Sequence, residues 1–157
     1  MPGIYVYFVN DQINILDEHH TRIDFDTVLY DTDSEWDATT LTWRPQITTP
    51  KLCRLDAHVS WTTPSGASGV GYAKIWAHVK NANNANFNRQ LGEGRRDGPL
   101  SAANPGINYS SQYLLQPGDN IHLVFMGFSG ANGHAIQSGS DDDADGTPQR
   151  SFFAASY

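Results

Sequence analysis

The segment SGSDDDADGTPQ contains four aspartates within a stretch of five residues, and their spacing suggests chemistry more directly than any other pattern in the sequence. The pattern Asp141-x-Asp143-x-Asp145-Gly146 matches the first half of an EF-hand calcium loop. An EF-hand also needs a bidentate glutamate at its twelfth position, which here is Phe152, so this type of site is excluded. Because Ca²⁺ accepts about six to eight oxygen ligands, Asp141, Asp143 and Asp145 could form a calcium site of another type. The alternative is that these carboxylates repel one another and keep a surface loop in water.

The six histidines are the next candidates for metal binding or catalysis. His19 and His20 are adjacent, and adjacent side chains of a strand point to opposite faces, so this pair would chelate a single metal poorly. His58, His78 and His122 fall on the polar faces of three predicted strands, where they could approach one another. The simpler interpretation is that the histidines are exposed or lie at an interface, without a catalytic role.

Motifs of common hydrolases and phosphate-binding enzymes do not occur in the sequence, including G-x-S-x-G, H-E-x-x-H and the phosphate-binding loop. We therefore expect a binding or structural protein rather than an enzyme. A hydrolase that uses two carboxylates stays open as the alternative, because the distance between two carboxylates cannot be read from a sequence. Cys53 lies in an alternating apolar run and is expected to be a small buried residue rather than a nucleophile.

Two long segments between predicted strands are candidate binding loops, because long loops on rigid β scaffolds often carry function. The first, residues 81–106, is rich in asparagine and arginine, whose amide and guanidinium groups suit hydroxyl-rich or carboxylated sugars. The alternative for this segment is a turn-rich connection without a ligand. The second, residues 129–149, contains the acidic motif. The ligand-binding residues predicted from the two segments are Asn81, Asn83, Asn84, Arg89, Arg95, Arg96 and His134.

Short runs of alternating apolar and polar residues, separated by clusters of Gly, Pro, Asn and Asp, indicate β-structure without a helix. The clearest run, CRLDAHVSW, is expected to bury one face formed by Cys53, Leu55, Ala57, Val59 and Trp61. The run YAKIWAHVK is expected to bury Ala73, Ile75, Ala77 and Val79 in the same way. About nine such strands predict a single all-β domain over residues 1–157, an antiparallel two-sheet sandwich or jelly roll.

The run IHLVFMGF is apolar on both faces, whereas a sandwich of two sheets covers only one face of each strand. We therefore expect its other face to meet another copy of the chain. Aromatic side chains on the outer face of a neighbouring strand would add to this contact. The residues predicted for this interface are Tyr72, Trp76, Tyr109, Tyr113, Val124, Met126 and Phe128.

The chain has 157 residues and a formal net charge of −7. No basic surface of the kind that binds phosphate is visible, which argues against nucleic acid as a partner. The apolar run at residues 4–9 is too short for a signal peptide or a membrane span, so we expect synthesis in the cytoplasm without a signal peptide and without membrane insertion. Residues 1–22 are expected either to join the domain's own sheet or to dock on another protein as an added strand.

Several landmarks in this sequence follow an order that resembles the C1q/TNF-like jelly-roll domain. In IDFDTVLYDTDSEWDATTLTWRP the landmarks are Phe25, residues 28–31, Trp36 with Asp37, and Trp43 with Pro45. The segments WAHVKN, YLLQPGDNIHLVF and TPQRSFFAASY resemble later strands of the same domain. The resemblance therefore covers residues 22–157.

The resemblance implies a homotrimer of jelly rolls that acts as a non-enzymatic binding head. Similar modules of bacteria and phages lie at fibre tips or on particle surfaces, which implies a fibre or spike component on the surface of a virion or phage-like particle. The implied partners are further copies of the chain, other particle proteins and cell-surface polysaccharide. A capsid decoration or connector protein without its own ligand is the alternative. Some members of the family bind calcium near the trimer apex, so calcium is the cofactor implied for the acidic motif.

Overall fold

A computed structural model describes residues 2–62, 70–99, 106–138 and 150–157 of the chain. Within these ranges the backbone forms thirteen β-strands and no helix. Accordingly, none of the described segments is a helix long and apolar enough to cross a membrane. The strands are β1 (Gly3–Tyr7), β2 (Gln12–Ile15), β3 (Thr21–Arg22), β4 (Thr27–Asp31), β5 (Trp36–Asp37), β6 (Thr42–Trp43), β7 (Lys51–Thr62), β8 (Val70–Asn81), β9 (Asn84–Pro99), β10 (Gly106–Leu115), β11 (Asp119–Phe128), β12 (His134–Gln137) and β13 (Phe152–Ser156).

These strands form one seven-stranded and one six-stranded sheet, with antiparallel pairing throughout. The seven-stranded sheet has the order β2-β12-β7-β13-β1-β4, and β10 pairs with the other side of β7. The six-stranded sheet has the order β5-β6-β11-β8-β9, and β3 also pairs with β11. One apolar cluster takes side chains from both sheets, which confirms the predicted antiparallel two-sheet sandwich.

The core between the sheets is built from the strands whose alternation is clearest in the sequence. The inward face of β7 consists of Cys53, Leu55, Ala57, Val59 and Trp61, and all five are at most 3% exposed. The inward face of β8 consists of Ala73, Ile75, Ala77 and Val79, which are fully buried. Full burial of a large apolar side chain contributes about 1.5–3 kcal/mol, so this alternation determines which face of each strand turns inward.

Strand β1 lies inside the chain's own seven-stranded sheet, between β13 and β4. Ile4 and Val6 are fully buried in the core, and Phe8, which follows the strand, is 2% exposed. Tyr5 and Tyr7 alternate with them and therefore point to the outer face. The following segment contributes β2 to the seven-stranded sheet and β3 to the six-stranded sheet, so it belongs to both layers.

The interpretation of residues 81–106 as a long loop is wrong for the part that the structure describes. Residues 84–99 form β9, which pairs with β8 through a hairpin turn at Ala82 and Asn83. Strand β9 is an edge strand, and Phe87 and Leu91 are the large apolar side chains that it turns toward the core. Its outer face is polar, so the apolar alternation that indicates a strand is weak here.

The second predicted loop, residues 129–149, contains a short strand in its described part. His134–Gln137 form β12, which pairs with β7 and β2. Ile136 is fully buried at the centre of this strand. A strand of four residues is too short for alternation to distinguish it from a loop.

The outer face of β11 is largely covered by the chain itself, so the expectation that a second copy must cover it is wrong. Val124 and Met126 are 5% and 7% exposed, and they cluster with Trp76, which is 3% exposed. Trp76 lies opposite Val124 in the register of β8 and β11, and the ring of His20 meets Trp76 edge-on at 5.0 Å. These side chains are buried in a single chain and do not require a second copy.

The remaining residues predicted for that interface do not share one surface. Tyr72 and Phe128 lie on the outer side of the six-stranded sheet, with ring centroids 5.4 Å apart. Tyr109 lies in the core on β10 of the other sheet, where its hydroxyl donates a hydrogen bond to the Leu91 carbonyl at 2.7 Å. Tyr113 packs against the same core. These residues therefore do not form one continuous surface, and their place in a trimer interface stays a prediction.

Candidate functional site

A depression of about 470 Å³ opens on the outer face of the six-stranded sheet. Strands β8, β9 and β11 supply most of its walls, and His20 with Arg22 of β3 supply the rest. Its volume lies within the range of ~300–1,000 Å³ that is typical of small-molecule sites. The lining residues are His20, Arg22, Trp76, His78, Asn88, Gln90, His122 and Val124.

Strand register explains why these side chains meet. His78 lies directly opposite His122 on the adjacent strands, and the two ring centroids are 5.1 Å apart. On the other side of β8, His78 also lies opposite Gln90. Paired residues of adjacent strands point to the same face, so polar side chains from three strands converge above one patch of sheet. The sequence-based expectation that His78 and His122 could approach one another is confirmed, whereas His58 lies on the other sheet.

His122 is buried at the base of the depression and is only 6% exposed. Among the residues that the structure describes, its ring nitrogens have no hydrogen-bond partner. Burial, together with the positive charge of Arg22, the neighbouring His78 and the positive charge of Lys80, lowers the pKa of His122 to about 3. The imidazole is therefore neutral near pH 7, with one nitrogen as a donor and the other as an acceptor.

Arg22 supplies positive charge to the depression from β3. Its Nη1 donates a hydrogen bond to the Thr40 carbonyl, which holds the guanidinium in place and leaves its other N–H groups for further contacts. A second depression of about 210 Å³ shares Arg22 and His122 and also contains Arg44 and Lys80. No aspartate or glutamate is among the described lining residues of either depression.

Two further contacts define the walls of the larger depression. His78 Nε2 and Asn88 Oδ1 form a hydrogen bond across β8 and β9, in which the imidazole N–H donates. On the opposite wall, the rings of His20 and Trp76 meet edge-on, and Val124 adds an apolar side chain. The site therefore combines directed polar groups with an apolar wall.

The predicted asparagines serve the local turns rather than the depression. Asn81 Nδ2 donates to Asp119 Oδ1 at 2.7 Å, and Asn83 Nδ2 donates to the Pro117 carbonyl at 3.1 Å. Both bonds brace the turn before β11, where Gly118 has a φ of +88° that side chains with a Cβ rarely adopt. Asn84 Oδ1 accepts a hydrogen bond from the Asn86 backbone N–H at 3.2 Å. Their amides are thus engaged within the chain.

The three predicted arginines also lie outside the depression. Arg95 stacks over the Tyr72 ring at 4.3 Å and pairs with Asp97 at 2.7 Å. Arg96 is the next residue along β9, and its Nη1 donates to the Gly106 carbonyl at 3.4 Å. Arg89 lies opposite Val79, whose side chain is in the core. The three guanidinium groups therefore do not form a single site.

His134 was predicted as a ligand residue, but it is fully buried, so this prediction is wrong. Its Nε2 lies 2.7 Å from Asp17 Oδ1, and Ser129 Oγ approaches the same nitrogen at 3.4 Å. A catalytic triad needs the serine and the aspartate on different ring nitrogens, so this arrangement is structural.

The acidic motif with Asp141, Asp143 and Asp145 lies outside the described residues. Within the ranges that are described, no group of three or more His, Cys, Asp or Glu side chains could hold a metal ion. The three histidines of the depression therefore do not make a metal centre.

The outer face of the seven-stranded sheet carries a row of aromatic side chains. Tyr5 and Phe152 stack with ring centroids 5.2 Å apart, and Tyr30 extends the row beyond Tyr5 at 6.1 Å. On the other side, His58 stacks on Phe152 at 6.4 Å. The guanidinium of Arg150 lies over the adjacent Tyr7 ring at 4.5 Å. This row, Tyr30-Tyr5-Phe152-His58, is called the aromatic face below.

No family model matches this chain, and no curated protein matches it. Comparison with solved structures does find similar chains. The globular domain of the zebrafish complement 1qA protein aligns with a TM-score of 0.64 at 12% identity, covering 99% of this chain and 96% of that one. The Eiger TNF structure from S. frugiperda gives a TM-score of 0.63 at 10% identity, covering 99% and 92%. A murine APRIL structure gives 0.63 at 12% identity, covering 98% and 96%. The chain has a C1q/TNF-like jelly-roll fold.

The landmarks that suggested the C1q/TNF-like fold occupy its core and turns. Trp43 is fully buried, and its Nε1 donates to the buried Glu35 carboxylate at 2.8 Å. Phe25 packs between Phe8 and Phe153, with ring centroids 5.0 and 6.4 Å away. At identities of 10–12%, the likeness establishes the fold, and a role for this chain has to be argued from its own residues.

Proposed function

We propose that this protein is a non-enzymatic binding module that assembles as a homotrimer and attaches to cell-surface glycan. From the resemblance to the C1q/TNF-like jelly roll, we further propose that it is part of a fibre or spike on the surface of a phage or phage-like particle. The observation that supports assembly into a homotrimer is the aromatic face of the seven-stranded sheet. The outer face of an antiparallel sheet is usually solvated and polar, so a row of stacked aromatic side chains there favours a protein partner.

The apolar surface continues from the aromatic face to the edge of the sheet. Strand β4 lies at one edge of the sheet, and its Val28, Leu29 and Tyr30 are 44%, 65% and 48% exposed. A closed ring of three identical chains needs two different surfaces on each chain, because every copy meets its neighbours head to tail. The aromatic face continues through Tyr30 into the β4 edge, so together they offer one apolar surface of such a pair. Tyr and Phe are enriched in interfaces of this kind.

The chemistry of the larger depression supports binding rather than turnover. Glycoside hydrolysis commonly requires two carboxyl groups on either side of the scissile bond. The described lining of the depression contains imidazoles, amides and a guanidinium but no carboxylate. A sugar held there would be bound by directed hydrogen bonds, without a general acid to cleave it.

Two matched double variants test which outer face mediates assembly. The first, Tyr5→Ser with Phe152→Ser, removes the stacked pair of the aromatic face. The second, Tyr72→Ser with Phe128→Ser, removes a similarly stacked pair, 5.4 Å apart, from the other sheet. In sedimentation velocity we expect the first variant to be a monomer and the second to remain a trimer. Circular dichroism checks that both are folded.

The comparison also has clear contradicting results. A trimer that persists in the Tyr5/Phe152 variant but dissociates in the Tyr72/Phe128 variant would place the interface on the six-stranded sheet. Trimers in both folded variants would show that neither stacked pair is needed for assembly. Either result would overturn the role of the aromatic face.

A further inference from the structure

We propose that the depression on the six-stranded sheet binds a carboxylated sugar, with Arg22 holding the carboxylate and His122 holding a hydroxyl group. This inference rests on the proposed attachment to glycan, and it adds the site and the class of sugar. It is carried by the unpartnered imidazole, by the charge of the walls and by the arrangement of amides over an apolar wall.

The ring nitrogens of His122 make no hydrogen bond within the described chain, and they are not fully enclosed, so a ligand in the depression can reach them. A polar group at the base of a depression favours a ligand that supplies its hydrogen-bond partner. His122 is more than nine-tenths buried, has no partner among the described residues and lines both depressions. A neutral imidazole offers one donor and one acceptor, and a sugar hydroxyl can act as both acceptor and donor. The base of the depression is therefore suited to a hydroxyl group.

The walls of both depressions carry positive charge. The protein has a net charge of −7, yet the described lining of both depressions contains cations and no acid. Arg44 is already paired with Asp37 at 2.9 Å, whereas the Arg22 guanidinium is bonded to a neutral carbonyl. An arginine fork matches a carboxylate in two parallel hydrogen bonds, which is a stronger contact than a bond between neutral groups. A carboxylate is thus the group that this wall favours.

The remaining walls of the depression combine an amide with apolar side chains. Gln90 is exposed at the rim of the depression and offers donor and acceptor atoms within one amide, as a ring of hydroxyl groups requires. Trp76 and Val124 line the depression with the small apolar area that the chain leaves exposed, which suits the edge of a sugar ring. A ligand with an acidic group, hydroxyl groups and an apolar edge meets every part of this lining.

The test uses a glycan array that contains oligosaccharides ending in uronic or sialic acid, each beside its carboxyl-reduced counterpart. We expect binding to acidic members and roughly tenfold or more weaker binding to their reduced forms. Calorimetry with the best soluble oligosaccharide then compares variants. Arg22→Gln and His122→Phe are each expected to weaken binding roughly tenfold. Arg95→Gln is the matched control on the same sheet, and it should bind like the unaltered protein.

Melting temperatures show whether the variants are folded. His122→Phe loses no hydrogen bond within the described chain and should melt no lower than the unaltered protein. Binding to neutral glycans without a preference for carboxylates would overturn the proposed site while leaving glycan attachment standing. Binding of acidic glycans that persists in both Arg22→Gln and His122→Phe would also overturn the proposed site and leave glycan attachment standing. Binding that is lost only in Arg95→Gln would have the same consequence. Binding to no member of the array would overturn glycan attachment as well. The soluble probe is monovalent, so these results do not depend on trimer formation.

Discussion

The Tyr157 hydroxyl donates a hydrogen bond to Glu35 Oε1 at 2.6 Å, and this contact joins the end of β13 to the turn before β5. Glu35 is 2% exposed, and its carboxylate also accepts hydrogen bonds from Trp43 Nε1 and the Gln46 backbone N–H. A buried carboxylate is stable only where hydrogen bonds replace its hydration. Glu35 therefore ties three separate segments to one buried charge.

Removing the Tyr157 hydroxyl should destabilise the fold. Tyr157→Phe keeps the ring beside Trp43, where the centroids are 6.0 Å apart, and deletes one hydrogen bond to the buried carboxylate. We expect a loss of about 1–2 kcal/mol, which for a domain of this size corresponds to roughly 2–8 °C in melting temperature. Tyr72→Phe is the control, because the Tyr72 hydroxyl makes no hydrogen bond within the described chain. Equal melting temperatures for the two variants would contradict the role of Glu35.

Asp17 provides a pH-dependent contact between the segment before β3 and the loop before β12. Burial raises the pKa of its carboxyl, but hydrogen bonds from His134, Ser129 and Gly130 outweigh that effect and leave the pKa below its ordinary value. A lowered pKa in the folded state gives stability that is present above the unfolded pKa of about 3.9 and is lost as pH falls through the folded pKa.

Asp17→Asn should therefore lower the melting temperature near pH 7, by an amount equivalent to about 1–2 kcal/mol. The difference from the unaltered protein should shrink as the pH falls below about 4. Asp24→Asn is the matched control, because Asp24 is exposed and its carboxylate makes no hydrogen bond within the described residues. A pH-independent difference for Asp17→Asn would show that its charge is not the stabilising feature.

Cys53 should be unreactive in the folded protein. Burial raises the pKa of its thiol to about 11, with a further contribution in the same direction from the charge of Asp119, and the residue is 1% exposed. The reactive species is the thiolate, which is a very small fraction at pH 8 when the pKa is this high. A thiol reagent such as dithionitrobenzoate should modify the protein rapidly only after unfolding in guanidinium chloride. Rapid modification of the native protein would contradict the burial of β7.

The strands that can be predicted from the sequence are those with one buried and one solvated face. Strand β7 is of this kind, since Cys53 to Trp61 alternate without interruption over most of its length. Strand β9 is not, because its position at the sheet edge lets its outer residues be polar. Leu91, which is 6% exposed, is the one buried large side chain among the described side chains of the strand. Period-two alternation is a signal of burial, so a strand with little burial carries little of it.

Neither the depression nor the aromatic face could be predicted from a single segment of the sequence. Asn88 and Gln90 are two positions apart and therefore lie on the same face of β9. Only the pairing of β9 with β8 brings Gln90 beside His78. Tyr5 and Phe152 come from opposite ends of the chain and meet because β1 pairs with β13. Long-range register determines both surfaces, and local periodicity does not specify which strands become neighbours.

The molar mass of the unaltered chain in solution is the most direct test of the proposed homotrimer. Size-exclusion chromatography with light scattering, at micromolar concentration, measures it without any substitution. We predict a mass three times that of the 17.3 kDa chain, unchanged on dilution through the micromolar range. A mass of 17.3 kDa at these concentrations would contradict the homotrimer and leave the aromatic face without its proposed partner.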